Sequence, residues 1–385
     1  MSKINLPSFE RCCGCAACCS ICPVQAISMN PDAEGFLQPN VNKDLCISCG
    51  KCEQVCPVLH PGAPRNPLAV YAAKAKDDEL RRISSSGGVF SLLARKVLDE
   101  GGVAFGAVYE PPTFKVIHKA VFDEKGLDEL RGSKYVQSEI GDTYKEAKEY
   151  LESGYKVLFS GCPCQIAGLK SFLGKDYDNL LLVDVICHAV PSPKVWQIFL
   201  EAQEKLVGER IKRVQPRRKC AWRSFEIEIN FEDKNHKNFS RKFPIWYSIF
   251  FKELCCRNSC YQCLFRKFNS GSDISVGDFW GIEYVDSTID DGKGVSVVVI
   301  KSKRGDEILT EVGKEVWLKE VNIKQASRKN IAINKDEKIS SRRQQFFNDL
   351  TVDNFNALSE KLTEHPAWFR FLRWLKRKII GSKNI

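Results

Sequence analysis

Near its amino terminus the chain reads Cys12-Cys13-Gly14-Cys15-Ala16-Ala17-Cys18-Cys19-Ser20-Ile21-Cys22-Pro23 and, later, Cys46-Ile47-Ser48-Cys49-Gly50-Lys51-Cys52-Glu53-Gln54-Val55-Cys56-Pro57. Both stretches share one spacing, in which three cysteines bind one cubane iron–sulfur cluster and the cysteine beside proline binds the other cluster. This predicts two [4Fe-4S] clusters. The first cysteine group is Cys12, Cys15, Cys18 and Cys56, and the second cysteine group is Cys22, Cys46, Cys49 and Cys52.

Two alternatives apply to these cysteines. Paired CxxC motifs also build tetrahedral zinc sites, but a zinc site needs only two pairs and no proline-flanked fourth cysteine. Cys13 and Cys19 do not fit the cluster spacing, and we interpret them as small buried hydrophobic residues. The pattern favours an α+β ferredoxin-like domain over residues 1–60.

The composition indicates a larger redox protein around these clusters. The chain has 385 residues, of which 43% are hydrophobic, so residues beyond 60 are numerous enough for a substantial second core. Its 18 cysteines suit a reducing compartment, which keeps thiols available as ligands. We see neither an apolar signal segment at residues 1–11 nor a run that approaches a membrane span. We therefore expect a cytoplasmic protein.

The net charge of +10 is concentrated at the carboxyl end, where residues 361–385 hold seven Lys or Arg and one Glu. Within residues 368–380 a helix would place Trp368, Phe371, Leu372, Leu375 and Ile379 on one face and cations on the other. Such a helix predicts either peripheral contact with an anionic membrane or docking on its own domain. The basic stretch 210–223 lacks a nucleic-acid motif, so we expect no nucleic-acid partner and interpret it as a solvated face or an anionic-cofactor rim.

Proline positions and hydrophobic periodicity divide the chain into four parts. Pro61, Pro64 and Pro67 mark a stiff linker at residues 61–69. Residues 70–325 alternate strand-like and helical patterns, which predicts an α/β domain with a mixed sheet. The predicted strands lie at residues 103–109, 116–122, 156–160, 180–186, 225–231, 274–277 and 295–300. Residues 326–385 form a polar carboxyl-terminal region that ends in the basic helix.

Two loops of this domain suit an anionic cofactor. The hydroxyl loop (residues 84–88) precedes an amphipathic helix and consists of Ser84, Ser85, Ser86, Gly87 and Gly88. Small side chains and free amides at a helix start favour a pyrophosphate, although an ordinary serine N-cap gives the same pattern. The glycine segment (residues 132–135) adds a hydroxyl, a cation and an aromatic ring through Gly132, Ser133, Lys134 and Tyr135.

Later cysteines follow predicted strands and predict a third cubane. The third cysteine group is Cys164, Cys187, Cys260 and Cys263. Loops after parallel strands open at one edge of a sheet, where ligands usually bind. The alternatives are a redox-active pair at Cys162 and Cys164, plain buried cysteines, or a ligand role for Cys255 or Cys256. His188 either donates a proton or caps the following helix.

Five segments in order resemble the family of coenzyme F-420 hydrogenase/dehydrogenase beta subunits: residues 82–93, 132–138, 160–170, 184–193 and 273–281. The resemblance spans about residues 68–300. It implies an FAD-binding domain with an iron–sulfur cluster, in which the hydroxyl loop and glycine segment contact the flavin and the later cysteines hold the cluster. Where the family usually has a glycine after the Cys-His pair, this chain has Ala189.

These features together predict an iron–sulfur flavoprotein oxidoreductase. FAD would exchange a hydride with a small molecule, with reduced coenzyme F-420 as one candidate, and single electrons with the clusters. The expected partners are this hydride carrier and a redox protein, either a ferredoxin or an enzyme subunit. The alternative function is a non-catalytic electron-transfer subunit or docking module of a larger redox complex. No catalytic residue is assigned.

Overall fold

The computed structural model describes residues 4–218, 225–232, 239–242, 245–334 and 338–364. Its amino-terminal part repeats one short unit twice, because each cysteine run continues into a one-turn helix. These helices are α1 (Ala17–Ser20) and α2 (Lys51–Gln54), and they flank the antiparallel strands β1 (Ile27–Pro31) and β2 (Leu37–Val41). The predicted ferredoxin-like arrangement is thus present.

A mixed sheet of eight strands forms the centre of the remaining chain. The later strands are β3 (Ala69–Ala75), β4 (Val103–Glu110), β5 (Lys115–Val121), β6 (Val157–Gly161), β7 (Leu180–Val185), β8 (Ile211–Arg218), β9 (Glu226–Phe231), β10 (Phe239–Lys242), β11 (Ile274–Asp278), β12 (Ser296–Ile300) and β13 (Val316–Glu320). The large sheet has the order β13-β3-β12-β11-β7-β6-β4-β5, and β10-β9-β8 form a separate antiparallel sheet. Each of the seven predicted strands matches an observed strand within one residue at either end.

Helices cover both faces of the large sheet. The helices of this part of the chain are α3 (Asp78–Ile83), α4 (Val89–Asp99), α5 (Glu124–Leu130), α6 (Thr143–Glu152), α7 (Pro163–Leu173), α8 (Pro193–Val207), α9 (Ile245–Phe251), α10 (Lys303–Glu311), α11 (Ile323–Ser327), α12 (Ile331–Asn334), α13 (Arg343–Asp349) and α14 (Phe355–Thr363). One core packs α4, α5 and α10 against the sheet, and a second packs α6 and α7. None of the helices in the described ranges has the length and apolarity needed to cross a membrane.

Strand direction places the candidate loops together. Strands β4, β6, β7 and β11 are mutually parallel neighbours, so their carboxyl ends lie at one edge of the sheet. Strand β12 is antiparallel to both β11 and β3, so β3 ends at that edge as well. The hydroxyl loop follows β3 by way of α3. The loops that carry Cys162, Cys164 and Cys187 follow β6 and β7. We call this the carboxyl edge of the sheet.

The ferredoxin-like part packs directly on α7. Cys13, Cys15 and Cys56 belong to the same buried cluster as α6 and α7. Gly168 of α7 makes this contact possible, since a Cβ atom there would lie 2.8 Å from Cys15 Cβ and 2.9 Å from the Tyr144 hydroxyl. Only a residue without a side chain allows the helix backbone to approach the cysteine this closely.

A buried arginine joins the two parts. Arg257 is 1% exposed, and its guanidinium donates to Cys12 O at 2.8 Å and to Leu37 O at 2.9 Å in the ferredoxin-like part. It also donates to Gln137 Oε1 at 2.9 Å, while Gln137 Nε2 donates to Cys13 O at 3.0 Å. These hydrogen bonds are buried, so water cannot take the place of a lost partner. The contact therefore fixes the ferredoxin-like part in one position.

The carboxyl-terminal region supplies a second link. Arg343 of α13 is 5% exposed and pairs in a bidentate manner with Glu34, at 2.6 and 2.5 Å. The same guanidinium donates to Cys256 O at 2.9 Å. Residues 338–364 therefore hold the ferredoxin-like part from another side. The predicted basic helix at residues 368–380 lies outside the described residues.

Candidate functional site

The first cysteine group surrounds one small cavity. Cys12, Cys15, Cys18 and Cys56 all line it, together with apolar residues that include Met29 and Val58. The first three come from the loop before α1 and from α1 itself, and Cys56 follows α2. The structure thus brings the distant Cys56 to the three thiols of the first run, as the predicted cluster requires.

The backbone around the two cysteine runs is repeated. Gly14 N donates to Cys12 Sγ at 3.4 Å, and Ser48 N donates to Cys46 Sγ at the same distance. Left-handed residues follow at Ala16 and Gly50, with φ of 62° and 73°, and each precedes a one-turn helix. Amides directed at sulfur stabilise negative charge on cluster ligands. The second cysteine group remains the predicted ligand set of the second cluster.

The third cysteine group surrounds a cavity at the carboxyl edge of the sheet. Cys164, Cys187, Cys260 and Cys263 all line it, and so does Cys13 of the ferredoxin-like part. Sequence reasoning treated Cys13 as an ordinary buried residue and missed this position, because the adjacency arises only when the ferredoxin-like part packs on α7. The four predicted ligands therefore come together, and the cluster they would bind stays a prediction.

Local capping holds Cys164 at the start of α7. Cys162 is the residue before the helix, and its backbone N–H donates to Gln165 Oε1 at 2.9 Å. Pro163 occupies the first helical position, where its missing N–H costs nothing. Gln165 is buried, and its Nε2 donates to Ser138 Oγ at 2.9 Å. These contacts fix the first turn of the helix and with it the Cys164 thiol.

The chemistry of the third cysteine group fits a positively charged metal cluster. Burial raises the pKa of the Cys263 thiol to about 11 and raises the pKa of Cys260 further. Interaction with Cys13, followed by burial, raises the pKa of Cys164, and interaction with Cys162, followed by burial, raises that of Cys187. Such thiols become thiolates at neutral pH only when a metal compensates their charge.

A single zinc ion needs ligand side chains that converge on one point. No three His, Cys, Asp or Glu side chains within the described ranges are placed to do so. Cys187 Sγ lies 3.9 Å from Cys162 Sγ, so Cys162 is a direct neighbour of the predicted ligand Cys187.

Three other sequence interpretations have clear outcomes. Cys255 and Cys256 are fully buried in the hydrophobic core and do not line the cavity, which does not support a ligand role.

His188 does not cap α8, because Ser192 is the N-cap and accepts the Val195 amide. His188 Nε2 instead contacts Glu253 Oε1 at 2.5 Å. Ala189 is absent from the described residues with positive φ, so its backbone does not need glycine.

The hydroxyl loop and the glycine segment meet at the carboxyl edge. Ser133 N donates to Ser85 Oγ at 2.9 Å, and Ser133 is exposed. Ser86 Oγ donates to Val295 O at 3.0 Å, so this hydroxyl is used within the protein. Gly87 lies against β3 and β12, where a Cβ atom would lie 2.4 Å from Ala73 O. Ser85 and Ser133 are therefore the better placed of the predicted hydroxyls for an external ligand.

The sequence did not indicate the hydrogen-bond partners of Lys134. Its ammonium donates to Glu129 O, Leu130 O and Arg131 O at 2.8 to 2.9 Å, and so caps the carboxyl end of α5. Burial lowers the pKa of Lys134 to about 7. The side chain thus points into the helix end, and the predicted flavin contact of this residue stays a prediction.

Arg217, in the basic stretch 210–223, lies beside the glycine segment. Its guanidinium donates to the Tyr135 hydroxyl at 2.6 Å and to Asp278 Oδ2 at 3.0 Å, and it lies over the rings of Phe225 and Trp280. The side chain is 1% exposed, so the predicted solvated face is wrong at this position of the basic stretch. Tyr135 has a φ of 49°, which is costly for a tyrosine and is held here by these contacts.

His118 supports the end of β6 from the neighbouring strand. Its Nε2 donates to Ser160 O at 3.0 Å, and its ring stacks on Phe159 with centroids 5.4 Å apart. Burial lowers the pKa of His118 to about 4, with a smaller contribution from Lys134. The neutral imidazole is therefore the form that the folded protein accommodates.

This burial predicts a measurable loss of stability in acid. Because the unfolded histidine binds its proton near pH 6.5 and the folded one near pH 4, the unfolded state gains protons first as the pH falls. We expect buried His118 to lower the free energy of unfolding by about 2 kcal/mol when the pH falls from 7 to 5. Anaerobic urea unfolding at both pH values, compared with His118→Gln, measures this difference. Equal losses in the two proteins would contradict the assignment.

Comparisons with protein families match three parts of the chain. Residues 70–144 match the amino-terminal part of the family described as coenzyme F420 hydrogenase/dehydrogenase, beta subunit, and residues 154–326 match its carboxyl-terminal part. Residues 11–59 match a 4Fe-4S dicluster domain. A ferredoxin of Alicyclobacillus acidocaldarius is 49% identical over 43 residues, which are 11% of this chain and 49% of the ferredoxin. The amino-terminal part is thus an iron–sulfur domain.

Two longer relatives come from methanogens. One subunit of the F(420)H(2) dehydrogenase of Methanosarcina mazei is 24% identical over 172 residues, 40% of this chain and 46% of the relative. The coenzyme F420-dependent sulfite reductase of Methanocaldococcus jannaschii is 24% identical over 324 residues, 78% of this chain and 46% of the relative. The chain spans about half the length of these two curated relatives.

A chain of the xenon-derivatised F420-reducing [NiFe] hydrogenase complex from Methanosarcina barkeri aligns with a TM-score of 0.47 and 19% identity, covering 74% of this chain and 94% of that chain. The family assignment does not depend on this alignment. Both family regions and the dicluster domain match in chain order and cover the segments that carry the sequence resemblance. The chain therefore belongs to the family of coenzyme F420 hydrogenase/dehydrogenase beta subunits, with a 4Fe-4S dicluster domain ahead of the family region.

Proposed function

We propose that this protein is an iron–sulfur flavoprotein oxidoreductase that moves electrons between its clusters and a hydride-carrying small molecule. The observation that carries the proposal is the shared location of its candidate parts. The hydroxyl loop, the glycine segment and the third cysteine group all lie at the carboxyl edge of the sheet, and Cys13 brings the ferredoxin-like part to the same cavity. An electron route needs such proximity.

The flavin would be held by residues around the contact between Ser85 and Ser133. The amides at the start of the eleven-residue helix α4 favour a phosphate, and the open surroundings of Gly132 leave room for it. Arg217 would hold Tyr135 in place through its bond to the Tyr135 hydroxyl. When bound, FAD supplies the conversion between two-electron hydride chemistry and one-electron chemistry. The protein's own part is to bind and orient the flavin beside the third cysteine group.

The other end of the route would face a protein partner. Cys49 of the second cysteine group is exposed, and Leu45 and Ile47 beside it are 53% and 61% exposed. A cluster bound there would be within reach of a docked redox protein or enzyme subunit. Because the methanogen relatives are named for coenzyme F420, we propose this deazaflavin as the hydride carrier.

The test is a cofactor count on protein purified without oxygen. We expect about twelve irons, an equal amount of acid-labile sulfide and one FAD per chain, since each cubane contains four irons. A Ser85→Trp variant should lose the FAD and keep the iron. About eight irons and no flavin, after attempted reconstitution, would refute the proposal and favour the non-catalytic electron-transfer subunit. Zinc without sulfide would refute both.

A further inference from the structure

Two cluster cavities share a wall. The cavity of the first cysteine group and that of the third cysteine group are both lined by Cys13 and Val58. Val58 is an apolar side chain and is 5% exposed. Cys13 contributes the sulfur atom of this wall and is 7% exposed. The wall is thus one residue thick at Cys13.

Cys13 shares each cavity with predicted ligands. It lines the first cavity together with Cys15 and the other cavity together with Cys164. Its backbone is fixed on both sides, because Gln137 donates to Cys13 O at 3.0 Å and Arg257 donates to Cys12 O at 2.8 Å. The position of the thiol is therefore set by the docking of the ferredoxin-like part on the α/β part.

This arrangement argues against a ligand role for Cys13. A cubane takes four thiolates. Each cavity is lined by a set of four predicted ligands without Cys13. Cys13 is thus left as a fifth sulfur that lines both cavities.

We propose that Cys13 is a non-ligating thiol that connects the first and third cluster sites and tunes both of them. The inference rests on the proposed function, in which the third cysteine group holds a cluster. One electron leaves one site as the other site gains it, so one is oxidised and the other reduced, and no atom is transferred. Hydrogen bonding and polarity around a cluster affect its potential, so a thiol in the wall between two sites affects both potentials.

The experiment uses full-length protein, and iron and sulfide counts precede a redox titration followed by electron paramagnetic resonance. In Cys13→Ala we expect the wild-type iron content and a shift in two of the three midpoint potentials, with the third unchanged. Cys13→Ser, which keeps a hydrogen-bonding group, should return both potentials toward wild type. Cys255→Ala is the matched control, because it removes a buried thiol that lines neither cavity, and its three potentials should stay unchanged.

Three results would overturn the inference. A loss of about four irons in Cys13→Ala would make Cys13 a ligand. A shift in one potential only, or in none, would show that the thiol does not connect the two sites. About eight irons in the wild-type protein would refute the third cluster itself, and this result is read before any variant is made.

Discussion

Arg257→Ala is expected to release the ferredoxin-like part from the α/β part. The substitution leaves Cys12 O, Leu37 O and Gln137 Oε1 without their buried donor. Each buried acceptor that loses its partner costs about 1–3 kcal/mol. Most of the loss falls on the contact between the two parts, because two of the three acceptors lie in the ferredoxin-like part and the arginine does not.

Release is measured by cleaving the exposed linker. A protease site inserted within residues 61–67 gives two fragments, which should co-elute in gel filtration for the wild-type protein and separate for Arg257→Ala. Arg304→Ala is a matched control, since this arginine also donates to backbone carbonyls, those of Tyr177 and Leu180, but inside the α/β part. It should lower stability without separating the fragments. Co-elution of the cleaved Arg257→Ala fragments would contradict the role of this residue.

Cys260→Ala is expected to remove one cluster and leave two. Cys260 lines the cavity of the third cysteine group, and a cubane that lacks one of its four thiolates is not retained. The iron content should therefore fall from about twelve to about eight per chain, with an equal loss of acid-labile sulfide. The remaining iron in the ferredoxin-like part shows in the same sample that the protein has folded.

The chain offers a close control for this variant. Cys255 is five residues away and fully buried, but it lies in the hydrophobic core and does not line the cavity. Cys255→Ala should therefore keep the full iron content and lose only the stability that goes with a small core truncation, about 1 kcal/mol. Equal iron in the two variants would remove Cys260 from the ligand set.

The parts of this structure that sequence reasoning found are those with local signals. Buried strands such as Ser296–Ile300 are continuous apolar runs, and their bounds follow from the sequence within one residue. The cysteine spacing likewise predicts the 4Fe-4S dicluster domain that the family comparison confirms. In contrast, β8 lacks a continuous apolar run and that of β13 is only three residues long, so sequence reasoning assigned neither as a strand.

The site residues that were missed depend on contacts between distant parts of the chain. Arg257 is separated by 245 residues from Cys12 and by 120 from Gln137, and nothing in its own neighbourhood indicates burial. Arg217 lies in a basic stretch that looks solvent-exposed, yet Asp278 and two aromatic rings bury it. Lys134 turns to a helix end rather than outward. Hydrophobic periodicity does not carry such information. It predicts which side of a helix or strand is buried, but not which distant residues pack against that side.

The way Arg257 holds the ferredoxin-like part bears on how freely the ferredoxin sequence can be exchanged. Its two bonds to that part go to main-chain oxygens of residues 12 and 37, which every amino acid provides. Among the hydrogen bonds described above for this junction, Glu34 contributes the specific side chain, through Arg343. A foreign ferredoxin with the same backbone path should therefore dock on the α/β part if it keeps this glutamate and the small residues that pack on α7. The hydrogen bonds of the junction thus tolerate sequence drift at most other positions.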